Sequence, residues 1–320
     1  MAQKVILDVD TGTDDAVALM FAALHPDLEL VGATTVNGNV PVEMCTENSL
    51  RVFDHIGVSV PVYEGVRKPI ARDDFPVPRG DILSSHAVHG GYLDIPPATS
   101  KKEPTGAIDF LIETYRAATD EIILVPVGPL SNIATALARE PRLKDQIPEL
   151  MIMGGANRYG NVTPRAEFNV WADPEAARAV VNSGVRKVTM VPLDATHAAL
   201  VSLEDCKALR ELGTPAGDAA ATFTERRIQG YDITQPMNRP GAAPVHDALA
   251  VASVVDRSVI TTHHLNVDVE TQGELTVGET VVDTNFRSRR WPNVEIALDA
   301  DERKFVAMLL ETFAVRAAVN

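Results

Sequence analysis

The chain has 320 residues, 45% of them hydrophobic and 23% charged, the balance of an ordinary water-soluble globular protein. Its formal net charge of −15 argues against nucleic-acid backbones and anionic membranes as partners, and no apolar run approaches the roughly 18 residues that a membrane span needs. Cys45 and Cys206 lie far apart with no metal or redox spacing, and the first strand begins by Lys4 with no room for a signal peptide, so core thiols of a cytoplasmic protein are expected.

In chain order, residues 5–9 read as a short apolar strand and 16–24 as a helix. A second strand at 28–34 runs into Thr35-Val36-Asn37-Gly38-Asn39, followed by a helix over 41–56 and a third strand at 60–63. Residues 65–104 are rich in Pro, Gly and His and show little periodicity; so long a loop in a compact domain is usually functional or mobile. A helix at 108–118 precedes a buried strand at 122–125, which runs into Pro126-Val127-Gly128, and the next helix occupies 129–139. The strand at 150–153 is stopped by Gly154-Gly155, and a second polar loop fills 156–173. Beyond it come a helix at 174–183, a strand at 188–191, helices at 203–212, 219–229 and 246–255, strand-like stretches at 259–282 and 294–298, and a closing helix at 301–315. This alternation predicts an α/β fold with a single open, mostly parallel sheet and helices on both faces. No linker divides it, so residues 1–320 are expected to form one domain.

The polar residues fall in a pattern. Asp10 to Asp15, Asn37, Asn39, Val127-Gly128, Met153-Gly154-Gly155 and Asp194 all follow the carboxyl ends of predicted strands, which a parallel sheet gathers at one edge. In Asp8-Val9-Asp10-Thr11-Gly12-Thr13-Asp14-Asp15-Ala16, helix capping accounts for Thr13 or Asp14 and one further acid, but not for Asp8 and Asp10. No Lys or Arg lies between Lys4 and Arg51, so a divalent cation is the simplest compensation for the crowded carboxylates. Asp247, in Pro244-Val245-His246-Asp247-Ala248, is a plausible fourth oxygen ligand; the donors suit Ca²⁺ or Mg²⁺, and zinc spacing is absent. In the second polar loop, Glu167 and Asn169, beside Asn161, can aim at one hydroxylated ligand if the backbone is extended, while Asp173 reads as a helix cap. His86-Ala87-Val88-His89-Gly90-Gly91-Tyr92 reads as a mobile lid near the substrate or as plain surface histidines.

Together these residues resemble the inosine–uridine type nucleoside hydrolase family. The carrying motifs are the Asp8 to Ala16 stretch, Asn39, Val125-Pro126-Val127-Gly128-Pro129-Leu130-Ser131-Asn132, Met153-Gly154-Gly155, Ala166-Glu167-Phe168-Asn169, Pro244-Val245-His246-Asp247 and, before the last helix, Pro292-Asn293-Val294. The resemblance spans the chain. It implies Ca²⁺-dependent hydrolysis of the N-glycosidic bond of ribonucleosides, releasing free nucleobase and ribose, with the site at the strand carboxyl ends. It implies Ca²⁺ ligands Asp10, Asp15, Asp247 and the backbone carbonyl of Val127, with Asp10 also activating the metal-bound water that attacks an oxocarbenium-like ribose. Asp14, Asn39, Met153, Asn161, Glu167 and Asn169 would surround the ribose together with Asp247, and His246 would face the nucleobase and protonate it, a task suited to His near neutral pH. A homodimer or homotetramer is also implied. The stretches His89-Gly90-Gly91-Tyr92-Leu93-Asp94 and 226–244 depart from the family pattern, and both face the base in relatives.

Two other readings compete. Asp8-x-Asp10 followed by Thr-Gly-Thr is similar to the start of a Mg²⁺-dependent haloacid dehalogenase-like phosphatase, with Asp8 as nucleophile, but Thr11 stands where that motif wants Gly. A nucleoside- or ribose-binding protein without turnover would be expected to lack Asp10 or a metal ligand, and none is missing. A helix–loop–helix calcium loop fails outright, since its twelfth position counted from Asp8 is Leu19.

Overall fold

The structure, a computed structural model, describes residues 2–76 and 88–315. Its strands are β1 (Gln3–Val9), β2 (Leu28–Thr35), β3 (Val62–Glu64), β4 (Ile122–Pro126), β5 (Leu150–Met153), β6 (Val188–Val191), β7 (Leu200–Ser202), β8 (Ala242–Pro244), β9 (Ile260–Leu265), β10 (Val267–Val269), β11 (Thr280–Val282) and β12 (Val294–Ala300). Eight of them form one sheet in the order β3-β2-β1-β4-β5-β6-β12-β9. Every neighbouring pair is parallel except β12 with the edge strand β9.

Strands β4, β5 and β6 are buried along their whole length, and their sequences are nearly continuous apolar runs, as strands covered on both faces must be. Side chains alternate across β1. Val5, Leu7 and Val9 enter one core layer with Leu19, Phe21, Phe53, Phe223 and Phe305. Ile6 enters the opposite layer with Leu111, Leu124, Ile133 and Ile152. Helices Thr13–Leu24, Val42–Ile56, Pro215–Thr234, His246–Val255 and Glu302–Phe313 cover the first face; Ala107–Ala117, Ser131–Arg139 and Pro174–Val181 cover the second.

The order reverses at β1: β2 and β3 build outward on one side, whereas β4 to β6 build outward on the other. The crevice between the carboxyl ends of β1 and β4 is therefore the switch point at which open α/β sheets hold ligands. The carboxylate-rich loop leaves β1 there, and Val127-Gly128 leaves β4 beside it.

Several local expectations are revised. The second polar loop contains a short helix, Phe168–Ala172, so the backbone is extended at Glu167, the N-cap, but helical at Asn169. The helix expected at 219–229 runs from Pro215 to Thr234, with the Thr214 hydroxyl capping Gly217 N at 3.1 Å. A two-stranded pairing of β7 with β8 falls on residues assigned neither helix nor strand from the sequence. The later part of the long first loop, from 91 to 100, is pinned to helix Val42–Ile56, whereas Ile70 and Arg72 bond to Asp173 and Glu175. Asn48 donates to the Thr11 and Gly91 carbonyls (2.9 and 3.1 Å) and accepts from Leu93 N at 3.0 Å, while Asp54 takes the amides of Thr99 and Ser100. His86 lies outside the described residues. Among the described residues no helix is long and apolar enough to cross a membrane.

Candidate active site

The loop after β1 is shaped by its own acids. Asp15 turns back, accepting from Asp10 N (3.0 Å) through Oδ1 and from Gly12 N (2.9 Å) and Asn39 Nδ2 (3.3 Å) through Oδ2. Asp10 Oδ2 accepts from Asn39 N at 2.6 Å. The loops of β2 and β4 close tightly on this carboxylate: a Cβ at Gly38 would lie 2.0 Å from Asp10 Oδ2, and one at Gly128 2.9 Å from Oδ1. Only glycine permits that approach. Asp8, by contrast, does not belong to the cleft. It is fully buried beneath it, with Oδ1 accepting from Thr34 Oγ1 (2.5 Å) and Asn132 Nδ2 (2.7 Å), which ties β1 to β2 and to helix Ser131–Arg139. A phosphatase nucleophile cannot act from there.

Asp10, Asp14, Asn39, Val127, Met153, Asn161, Glu167, Asn169, His246 and Asp247 all line one cleft of about 560 Å³, its open mouth included. Asp15 lies directly behind it, wholly buried. Asp194 is not part of the lining and instead accepts from Asn157 N at 2.7 Å. Amides of Val127 and Gly128 donate to the Asp8 carbonyl (2.8 and 3.3 Å), and Asn169 Nδ2 donates to the Val127 carbonyl at 2.7 Å, so this carbonyl is held at the cleft. Asn169 Nδ2 also lies 3.4 Å from Met153 Sδ. Glu167 both lines the cleft and caps helix Phe168–Ala172, accepting from Gly155 N, Asn169 N and Val170 N at 2.8, 2.8 and 3.1 Å. Asn161 Oδ1 accepts from Phe168 N at 2.9 Å. Asp173 is a cap, as expected, with Oδ1 on Ala176 N at 3.0 Å.

Burial is costly for so many acids. It raises the pKa of Asp15 to about 6 and that of Glu167 to about 7. Asp10 and Asp247 are pushed well above the ordinary range, by burial first and then by neighbouring carboxylates. One oxygen each from Asp14, Asp15 and Asp247 falls within 4.8 Å of the others, the arrangement of a cation site. Asp14 stands in that trio where the resemblance implies Asp10, whose Oδ2 accepts from Asn39 N. The donors are all hard oxygens, and the charge they carry is unfavourable in a buried place without a cation. They fit Ca²⁺ or Mg²⁺.

Arg227, Tyr231 and Gln235, from the 226–244 stretch expected to face the base, also line the cleft, none of them with a role foretold by the sequence. Arg227 and Tyr231 lie four residues apart on helix Pro215–Thr234 and so share one face, a signal present in the sequence, while Gln235 is the helix's C-cap. Arg227 is 1% exposed; Nη1 lies 2.7 Å from Asp14 Oδ1 and 3.2 Å from Thr13 Oγ1, and Nε donates to the Pro244 carbonyl at 2.9 Å. The contact to Asp14 is electrostatic, since Oδ1 accepts no aligned hydrogen bond. Tyr231 Oη lies 2.6 Å from His246 Nε2, and Thr196 Oγ1 lies 2.7 Å from Nδ1. Burial first, then Arg227 and the other histidines, drives the His246 pKa well below its ordinary value. Burial thus favours the uncharged imidazole there. His89 reaches the rim, with Nδ1 accepting from Thr13 N at 3.4 Å, and burial lowers its pKa to about 4.

The comparisons agree along the whole chain. The inosine-uridine preferring nucleoside hydrolase family model matches residues 5–307. An inosine-uridine preferring nucleoside hydrolase of Leishmania major is 39% identical over 318 residues, 97% of each chain. The pyrimidine-specific ribonucleoside hydrolase RihB of Escherichia coli is 36% identical over 315 residues, 97% of this chain and 96% of the relative. Among solved structures, the purine-preferring ribonucleoside hydrolase from Gardnerella vaginalis superposes with a TM-score of 0.88 at 34% identity, covering 98% of both chains. From its switch-point carboxylates to its overall fold, the chain belongs to the inosine-uridine preferring nucleoside hydrolase family.

Proposed function

We propose that the protein hydrolyses the N-glycosidic bond of ribonucleosides in a Ca²⁺-dependent reaction, releasing free nucleobase and ribose. The observation that carries this reading is the convergence in one cleft of buried carboxylates from the β1 loop and helix His246–Val255 with the amides of Asn39, Asn161 and Asn169. Asp10, Asp15, Asp247 and the Val127 carbonyl would hold the metal, consistent with the buried, all-oxygen donor set. Bound there, Ca²⁺ would supply a Lewis acid that makes water more acidic and orients neighbouring ribose hydroxyls.

The chain's own groups do the remainder. Asp10, its pKa raised, takes a proton from the attacking water. Asp14, Asn39, Met153, Asn161, Glu167, Asn169 and Asp247 surround the ribose, where amides and acids suit its hydroxyls and the carboxylates offset the positive charge of an oxocarbenium-like transition state. His246 and Tyr231 form the hydrogen-bonded pair that passes a proton to the departing base. Relatives named purine-preferring and pyrimidine-specific both match this chain, so both base classes are candidate substrates. We take the chain to be one domain acting as a homodimer or homotetramer, and its buried thiols, Cys45 and Cys206, suit the cytoplasm.

The test is release of reducing sugar from inosine, adenosine, uridine, cytidine and their 2′-deoxy forms, with and without chelator. Ribose release that chelation abolishes supports the reading; chelator-resistant release refutes the metal dependence, and no release from any nucleoside refutes the activity.

A further inference from the structure

Arg227 is a cation built into an acidic site, and it is anchored on three sides. Its helix carries Tyr231, its Nε holds the Pro244 carbonyl two residues before His246, and its Nη1 meets Thr13 and Asp14 at the start of helix Thr13–Leu24. Of the cleft acids, the guanidinium contacts Asp14 alone among the described ion pairs. Yet Asp14 is one of the three carboxylates spaced to share a cation with Asp15 and Asp247. Those two have no basic partner among the described ion pairs and are the acids that most need a metal.

We propose that Arg227 is a positioning residue that keeps Asp14 out of the metal's coordination shell, reserving its carboxylate for the ribose. The inference rests on the metal reading above. A carboxylate already paired with a fixed guanidinium gains less from a divalent cation than a bare one, and the pairing restrains its oxygens toward Arg227. Asp14 already lies close enough to Asp15 and Asp247 to join them; with the guanidinium charge gone nothing would offset its own, giving a more anionic and tighter metal site with a poorer grip on ribose.

The test is Ca²⁺ affinity by calorimetry on the metal-stripped full-length protein, alongside steady-state kinetics and circular dichroism. Asp14→Asn should leave Ca²⁺ affinity within about twofold of wild type, because Asp14 is not a ligand, while raising KM about tenfold or more. Arg227→Met should bind Ca²⁺ about tenfold tighter and also raise KM, whereas Arg227→Lys, which keeps the charge, should return the affinity toward wild type. In the Asp14→Asn background, Arg227→Met should no longer tighten binding. A merely structural Arg227 would weaken Ca²⁺ binding when replaced.

Several outcomes overturn the proposal: a large loss of Ca²⁺ affinity in Asp14→Asn, weaker or unchanged affinity in Arg227→Met, or equal tightening with and without Asp14. Should Arg227→Met fail to fold, Arg227→Gln, which loses the charge but keeps a donor for the Pro244 carbonyl, takes its place with the same expected tightening. A wild-type protein that binds no Ca²⁺ overturns the metal reading itself, which is a distinguishable failure.

Discussion

Tyr231 Oη and His246 Nε2 approach to 2.6 Å inside the cleft, and both side chains are buried. Burial lowers the His246 pKa and raises that of the Tyr231 phenol, so under the proposed function the two would act as one hydrogen-bonded pair rather than through a standing imidazolium. Tyr231→Phe and His246→Ala should each lower kcat/KM on ordinary nucleosides by about 10²–10⁴-fold, the usual weight of general acid catalysis, while costing an activated aryl riboside far less. Equal losses on both substrates would remove the pair from leaving-group protonation.

Asp10 sits against two glycines that admit no side chain, so its carboxylate has little freedom to relocate. Asp10→Asn keeps the shape and an acceptor for Asn39 N but loses the base. Turnover should fall by about 10³-fold or more with the far-UV spectrum unchanged. Retention of a tenth of wild-type activity would mean that another group removes the proton.

Stability should depend on metal and pH together. In the metal-free protein Asp10, Asp15 and Asp247 have raised pKa values. The folded state therefore holds protons that the unfolded chain would release. That contribution is fully present below the ordinary Asp value and is lost as pH rises through the raised folded values. A bound cation replaces those protons. The gain in Tm on adding saturating Ca²⁺ should accordingly be larger at about pH 7.5 than at about pH 5, by several degrees. Differences taken at one pH largely cancel the opposite titration of buried His89, His197 and His246, whose pKa values are lowered. A gain that is equal at both pH values would show that metal and protons do not compete for these carboxylates.

The sheet was legible because strands covered on both faces must be apolar throughout, as Ile122 to Val125 and Leu150 to Met153 are. The site edge was legible because polar residues follow such strands. What escaped was non-local. Along the chain the first basic residue after Lys4 is Arg51, whereas the fold brings Arg227 from a distant helix onto Asp14. Helix Phe168–Ala172 escaped for the opposite reason: Phe, Asn, Val and Trp are middling helix formers, and the turn forms because the buried Glu167 carboxylate caps it. Glu167 was thus read as a ligand group alone when it is also a scaffold group.

Asp173 separates scaffold from site experimentally. Its Oδ1 caps helix Pro174–Val181 through Ala176 N at 3.0 Å; its Oδ2 accepts from Ile70 N at 2.8 Å and from Ser131 Oγ at 2.6 Å. One buried carboxylate therefore joins three segments without lining the cleft. Asp173→Ala strands three donors and removes a cap, which should cost about 2–4 kcal/mol and several degrees in Tm. KM and kcat, measured well below that lowered Tm, should stay within about twofold of wild type, because no group facing the ribose has been removed. Calorimetry and nucleoside kinetics on the same preparation decide it: an unchanged Tm with a raised KM would place Asp173 in substrate binding and contradict its role as a cap.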